Sequence, residues 1–218
     1  MNPNISELSQ DKQSFKEEET FEVLDIGCGN GRFLEYLKQS AFFPFKYVGI
    51  DNNKYLLEKA KILVNNEIKN NYTILNREII KDILEEKYIL PRSHIITLFG
   101  VMHHIPSYNN RLKILNTLKD ALYPNGLICI SIWKFLDEDK IKHKILDWNT
   151  LNIKTEDLET HDYLLPWDRG VNAIRYCHYV SDNESGQLLK ESNLKVIKKF
   201  RADGKNNKMN EYVILQKT

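Results

Sequence analysis

Apolar positions along this chain follow two alternating rhythms, short continuous runs and sets spaced three and four apart. Phe21-Glu22-Val23-Leu24-Asp25-Ile26 is a short apolar run that stops at glycines, and residues 31–39 then carry Phe33, Leu34 and Leu37 at helical spacing. The order predicted is strand, tight turn, helix. A second strand is expected over 46–51, around Tyr47-Val48-Gly49-Ile50, and 53–64 places Leu56, Leu57, Ala60, Leu63 and Val64 on one helical face. A βαβ unit is therefore complete by Asp51. Glu78-Ile79-Ile80 is expected to begin a third strand, and the stretch 65–76 also fits an extension of the preceding helix. His94-Ile95-Ile96-Thr97-Leu98-Phe99 reads as a buried strand. An amphipathic helix over 108–122 follows through Leu112, Leu115, Leu118 and Leu122; Pro124-Asn125-Gly126 is a turn, and 127–133 the next strand.

Alternation of this kind predicts a parallel sheet covered on both faces, with right-handed crossovers. The end of the chain differs. Ser181-Asp182-Asn183-Glu184 matches a capping box and should open a helix to about Ser192, and 194–201 and 210–216 read as two strands around Gly204, paired antiparallel. Between them and the fifth strand, 135–179 is irregular and rich in charge and aromatics, among them Trp148, Tyr163, Trp167, Tyr176 and Tyr179. An insertion of that length is a lid or a substrate-recognition region. The expected organisation is a polar segment, 1–20, and one domain, 21–218, containing the 135–179 insertion.

Composition narrows the class. With 218 residues, 42% hydrophobic and 28% charged, the chain has the size of one α/β domain. No apolar stretch approaches the roughly 20 residues of a membrane span, and Cys28, Cys129 and Cys177 form no CxxC pair of the kind that reads as a zinc or redox motif. A soluble cytoplasmic protein without metal is expected. The net charge of +1 lacks the strong basic footprint of an obligate nucleic-acid binder, yet 187–218 holds eight Lys or Arg against three acids, while 1–20 holds two Lys against five acids. That asymmetry permits a basic face for a polyanion, and equally a solvated strand pair.

The candidate chemistry sits at the first turn. Gly27, Gly29 and Gly31 let backbone approach a ligand where the following helix offers free N–H groups. Their G-x-G-x-G spacing differs from the G-x-G-x-x-G of dinucleotide sites and favours adenosylmethionine, which has no pyrophosphate to cradle. Asp51, 20 residues after Gly31, ends the second strand, where a carboxylate accepts ribose hydroxyls. Asp82-Ile83 fits either an adenine-binding pair or a simple helix cap.

Taken together, Val23-Leu24-Asp25-Ile26-Gly27-Cys28-Gly29-Asn30-Gly31, Gly49-Ile50-Asp51 and Leu122-Tyr123-Pro124-Asn125-Gly126-Leu127 resemble the class I S-adenosyl-L-methionine-dependent methyltransferases over residues 21–133. The resemblance implies a Rossmann-like α/β fold, a mostly parallel seven-stranded sheet with an antiparallel last strand. It also implies that Asp25 orders the glycine loop and approaches the methionine amino group. The cofactor positions expected are Asp25, Gly27, Cys28, Gly29, Asn30, Gly31, Asp51, Asn52, Asp82, Ile83, Phe99 and Gly100.

Val101-Met102-His103-His104-Ile105-Pro106, Ser131-Ile132-Trp133, Leu165-Pro166-Trp167 and Arg175-Tyr176-Cys177-His178 are similar to the tRNA wobble-uridine methyltransferases that esterify a 5-carboxymethyl group, and to their bacterial relatives. Cys177 stands where that family usually has Tyr and His94 where it usually has Asp, and its aromatic helix ahead of the first strand is not recognisable in 1–20. This resemblance implies tRNA as substrate and, as for eukaryotic members, a small activator protein as partner.

Methyl transfer from a sulfonium requires an aligned acceptor, and a carboxylate is already ionised at neutral pH, so no strong base is needed. Arg175 would orient such a carboxylate with its planar fork; its alternative is a pair with a surface acid. His104 and Tyr176 complete the expected catalytic set. One of His103 and His104 is expected to be merely packed, and Trp133, Trp167 and Tyr176 fit base stacking or plain packing. A small-molecule carboxylate or hydroxyl methyltransferase and a non-catalytic adenosylmethionine-binding subunit are the alternatives; the glycine spacing disfavours a nicotinamide dehydrogenase.

Overall fold

The computed structural model describes residues 20–64, 71–167 and 173–217. The polar segment up to residue 19 and the stretch 65–70 lie outside the described residues. Five parallel strands come first: β1 (Phe21–Ile26), β2 (Phe45–Asp51), β3 (Tyr72–Asn76), β4 (Ser93–Leu98) and β5 (Leu122–Trp133). Helices α1 (Arg32–Ser40), α2 (Lys54–Val64), α3 (Ile79–Leu84) and α4 (Tyr108–Ala121) connect them. The insertion follows, with short α5 (Asp139–Lys142) and an antiparallel ribbon of β6 (Asp162–Trp167) and β7 (Ala173–His178) that forms its own small sheet. Last come α6 (Asp182–Glu191), β8 (Lys195–Ala202) and β9 (Asn210–Gln216). The main sheet has seven strands in the order β3-β2-β1-β4-β5-β9-β8, and β9 runs antiparallel to both neighbours.

β1 is central because both its faces are apolar: Val23, Leu24 and Ile26 are all buried, as are Ile96 and Leu98 beside it on β4. Leu24, Ile50, Ile96, Ile128 and Leu118 belong to the main core, and Val23, Leu34, Leu37, Phe45 and Tyr47 pack as a separate cluster. The insertion has its own apolar cluster of Phe135, Leu165 and Cys177.

The third strand is the main correction to the sequence reading. It is Tyr72–Asn76, and Glu78-Ile79-Ile80 begins α3 instead, with Glu78 at its N-cap. Ile79 and Ile83, four apart, are both buried, so the pair Ile79-Ile80 belonged to a short helical face. β3 reads weakly because it is an edge strand paired only with β2 and none of its residues is fully buried. The turn at Pro124-Asn125-Gly126 sits inside β5 as an excursion. Pairing jumps from Ser93–Leu122 to Ile95–Leu127, and Asn125 takes φ 62° there. Ser181 caps α6 by accepting from the Glu184 N–H at 3.2 Å, but the Glu184 carboxylate turns away to Arg111 and His178, so only half of the capping box forms.

Candidate functional site

A cavity of 1410 Å³ opens at the carboxyl ends of β1, β2, β4 and β5, between the glycine loop, the insertion and the start of β9. This is the crevice that an open α/β sheet leaves where its strand order reverses. The loop is fastened to β2 by Gly27 and Cys28 N–H groups donating to the Ile50 carbonyl at 2.8 and 3.1 Å. Gly27 adopts φ 75°, and a side chain there would bring Cβ within 2.3 Å of Val101 Cγ2, so its bareness is sterically enforced. Gly29 N–H donates to Asp51 Oδ2 at 2.9 Å, while Asp51 Oδ1 accepts from Asn53 N–H at 2.8 Å. The carboxylate is thereby held at the cavity lip with lone pairs remaining on both oxygens.

Of the expected positions, Gly27, Gly29, Asp51, Asn52, Phe99, Gly100, His104 and Arg175 line this cavity. The others do not, each for a local reason. Gly31 faces α2, where a Cβ would lie 2.9 Å from Leu63 Cδ1 and 3.2 Å from Ala60 Cβ, so it serves helix packing. Cys28 is buried against Gly49, and Asn30 stays outside the lining. Asp25 lies beneath the loop, buried, its oxygens accepting from Tyr47 Oη and Thr97 Oγ1, both at 2.6 Å. Register places Thr97 opposite Asp25, and Tyr47, opposite Val23, lays its ring over the bare Gly49 that faces Asp25. Burial pushes the Asp25 carboxyl up to about 6, although the Thr97 and Tyr47 hydrogen bonds pull the other way.

The displaced third strand also displaces the next wall. Asp82 pairs with Arg77 Nε at 2.9 Å and Ile83 is in the core, so neither reaches the cavity. Arg77, Glu78, Ile79 and Ile80 occupy that edge instead, with Asn52 Nδ2 donating to Glu78 Oε2 at 3.0 Å. The signal available was Asn76-Arg77-Glu78 as a strand exit, masked by the isoleucines that follow.

Across the cavity, β7 alternates its faces. Arg175 points in, its guanidinium 4.9 Å from the Trp133 ring centroid and 4.6 Å from that of Trp167. Tyr176 lies outside the cavity lining, and its hydroxyl donates to Asp162 at 2.6 Å. His178, on the same side as Tyr176, bonds Asp162 at 2.6 Å and Glu184 at 2.8 Å. Arg111, fully buried, binds Glu184 at 2.7 Å, Glu159 at 2.8 Å and the Ile105 carbonyl at 2.9 Å. This network anchors the ribbon to α4 and α6, and nothing in sequence spacing announced it.

His103 and His104 both line the cavity on the turn after β4. His104 is exposed, and its Nδ1 lies 3.1 Å from the Tyr176 carbonyl. Desolvation holds its imidazole below the usual histidine range, with Arg175 adding to this and the Tyr176 carbonyl opposing. His103 is 6% exposed, and burial, then the neighbouring His104 and Arg175, hold it well below that range. Both rings are neutral at physiological pH. Sequence reasoning also missed Arg32, Lys140 and Lys144 in the cavity lining, and Tyr212, whose hydroxyl donates to Asp203 at 2.6 Å. These residues come from segments far apart in the chain.

The strand order, the antiparallel β9 and the glycine loop at the reversal point define a Rossmann-like class I methyltransferase fold. The chain belongs to the methyltransferase domain family, whose sequence model matches residues 1–199. It is 31% identical over 109 residues to a carboxy-S-adenosyl-L-methionine synthase of Trichodesmium erythraeum, covering 50% of this chain and 41% of that protein. It is 26% identical over 132 residues to a tRNA (carboxymethyluridine(34)-5-O)-methyltransferase of Arabidopsis thaliana, covering 61% of this chain and 28% of that one. The chain thus spans less than half the length of these curated relatives. Among solved structures, a SAM-dependent methyltransferase from Methanosarcina mazei superposes with TM-score 0.64 at 16% identity, over 92% of this chain and 93% of that one. Among the described residues, no helix is long and apolar enough to cross a membrane.

Proposed function

We propose that this methyltransferase uses S-adenosyl-L-methionine to methylate a carboxylate, with the 5-carboxymethyl group of a tRNA wobble uridine as the acceptor. The observation that carries the reading is Arg175, held between two tryptophan rings in the cavity that Gly27, Gly29 and Asp51 also line. The cofactor fits the donor set: bare backbone at Gly27 and Gly29, and a fixed carboxylate at Asp51 suited to ribose hydroxyls. When bound, it supplies an electrophilic methyl group.

Arg175 would grip the acceptor carboxylate through its fork and aim one oxygen, with the Trp133 and Trp167 rings flanking the guanidinium. Because the acceptor is already ionised, the neutral His103 and His104 need not act as strong bases. Arg32, Lys140 and Lys144 add positive charge on the cavity wall, which suits an anionic acceptor. The insertion, 135–179, acts in this reading as the substrate-recognition part of a single domain, 21–218. The Arabidopsis relative's name supports the tRNA acceptor, and a small activator protein belongs to the same reading.

A second reading, a small-molecule hydroxyl acceptor, draws on the exposed His104 at the cavity. A non-catalytic subunit ranks last, since the glycines and Asp51 are in place. Labelled cofactor supplied with unmodified tRNA and, separately, with a metabolite extract decides between acceptors. Arg175→Lys keeps charge but loses the fork, so turnover should fall about tenfold, roughly 1.4 kcal/mol, with cofactor affinity retained. Full activity in that variant would dismiss the carboxylate clamp.

A further inference from the structure

The turn after β4 and strand β7 bring together three side chains that the methyl-transfer reading does not require as a group. His103, His104 and Cys177 each offer one ligand atom, and these atoms lie within 4.8 Å of one another. We propose that His103, His104 and Cys177 form a binding site for a thiophilic divalent cation, zinc being the first candidate, in the wall of the cavity.

Several features favour an ion over plain packing. The Nδ1 atom of His103 is buried with no hydrogen bond among the described residues, in a side chain more than nine-tenths buried whose ring lies 4.1 Å from that of His104. An unsatisfied buried imidazole nitrogen is costly unless something occupies it. His104 meets the Tyr176 carbonyl through Nδ1, which leaves Nε2 as its ligand atom. A second ring nitrogen bonded to backbone is the usual way a metal-binding histidine is oriented. Two imidazoles and a thiolate are a borderline-soft set that suits zinc, and three protein ligands leave a fourth position, here on the cavity side.

Charge and distance set the conditions. A tetrahedral zinc site needs ligand atoms about 3.5 Å apart, which lies inside the 4.8 Å that bounds this cluster. Arg175 is the opposing charge, and its cation rests on the Trp133 and Trp167 rings while the Cys177 thiolate cancels one charge of the ion. The contrasting group, Glu159, Asp162 and His178, has its acids already bonded to Arg111, Tyr176 and Glu184-linked His178. It carries no comparable orphan.

The test is titration of the full chain with cobalt(II), whose bond to a thiolate gives a charge-transfer absorption, followed by displacement with zinc. The expected result is a saturable one-site band and loss of the band in Cys177→Ser. His104→Asn changes an exposed residue, keeps the fold, and should weaken cobalt affinity tenfold or more even if Cys177→Ser folds poorly. Cys129→Ser should leave the titration unchanged. Absence of a thiolate–cobalt band in the unaltered chain overturns the site. So does a band that persists in folded Cys177→Ser, or one that His104→Asn leaves at full affinity. No substrate enters the measurement, so its outcome is independent of which acceptor is methylated.

Discussion

Two buried polar clusters underlie the two sides of the cavity, and they are built on opposite principles. Beneath the glycine loop, Asp25 is a lone carboxylate satisfied by two hydroxyls, from Tyr47 and Thr97, that neighbouring parallel strands deliver in register. Beneath the insertion, Arg111 binds Glu159 and Glu184, while His178 and Tyr176 share Asp162. The first cluster lacks a countercharge, so burial wins and the carboxyl rises to about 6. In the second, burial likewise pushes the Glu184 carboxyl up, but the His178 hydrogen bond and the Arg111 charge outweigh it and hold it below the usual range. A sheet positions its side chains by register and can leave a charge underpaired. A ribbon added outside the sheet needs ionic ties to define its place.

The comparison is most sharply broken by removing its cation. Arg111→Ala removes the cation that joins Glu159, about a third exposed, to Glu184, which keeps His178 as partner, and should lower unfolding free energy by about 3 kcal/mol. Urea denaturation reads this as a lower midpoint with unchanged slope. A loss under about 1 kcal/mol would mean that the ribbon is placed by its apolar cluster alone.

pH separates the clusters by sign. Asp25 binds its proton more tightly folded than unfolded, so its contribution is greatest below about pH 3.8 and declines as pH rises through about 6. Asp25→Asn lacks that decline. Its stability relative to the unaltered protein should improve by on the order of 2–3 kcal/mol between pH 4 and pH 7. Glu184 has a depressed carboxyl, so its contribution is present above its unfolded value of 4.5 and fades as pH falls through the folded one. Glu184→Gln should therefore lose most at neutral pH and least in acid. Parallel pH profiles for the two variants would contradict the distinction.

Within the loop itself, Gly27→Ala forces a left-handed residue against Val101 and should cost about 1–3 kcal/mol, with weaker adenosylmethionine binding by calorimetry. Val101→Ala in the same chain should restore part of both. The smallest effect belongs to the basic edge strand β8. Lys199 already meets Glu211 at 3.1 Å and Arg201 meets Asp137 at 2.6 Å, so only part of that charge is available to a polyanion. If the acceptor is tRNA as proposed, changing Lys198, Lys199 and Arg201 to Gln should lower tRNA affinity and flatten its salt dependence. An unchanged salt slope would make β8 ordinary solvated surface.

The sequence by itself determined the parallel sheet and its cofactor edge, because both follow from local pattern. Continuous apolar runs such as Val23-Leu24 and Ile95-Ile96 are buried strands, and Gly27 and Asp51 fall at strand ends fixed by those runs. It misplaced β3, since an edge strand buries little and Ile79-Ile80 gave the stronger local signal from inside a helix. Only the tertiary structure decided which side chains of the insertion face the cavity. A shift of one residue along β7 exchanges Arg175 for Tyr176, and the register that settles it is set by β6 and by Asp162, whose partners lie up to 16 residues away. Arg111 and Glu184, 73 residues apart, carry no mutual signature in the chain, because a buried ion pair depends on where two helices pack and not on any spacing between its members.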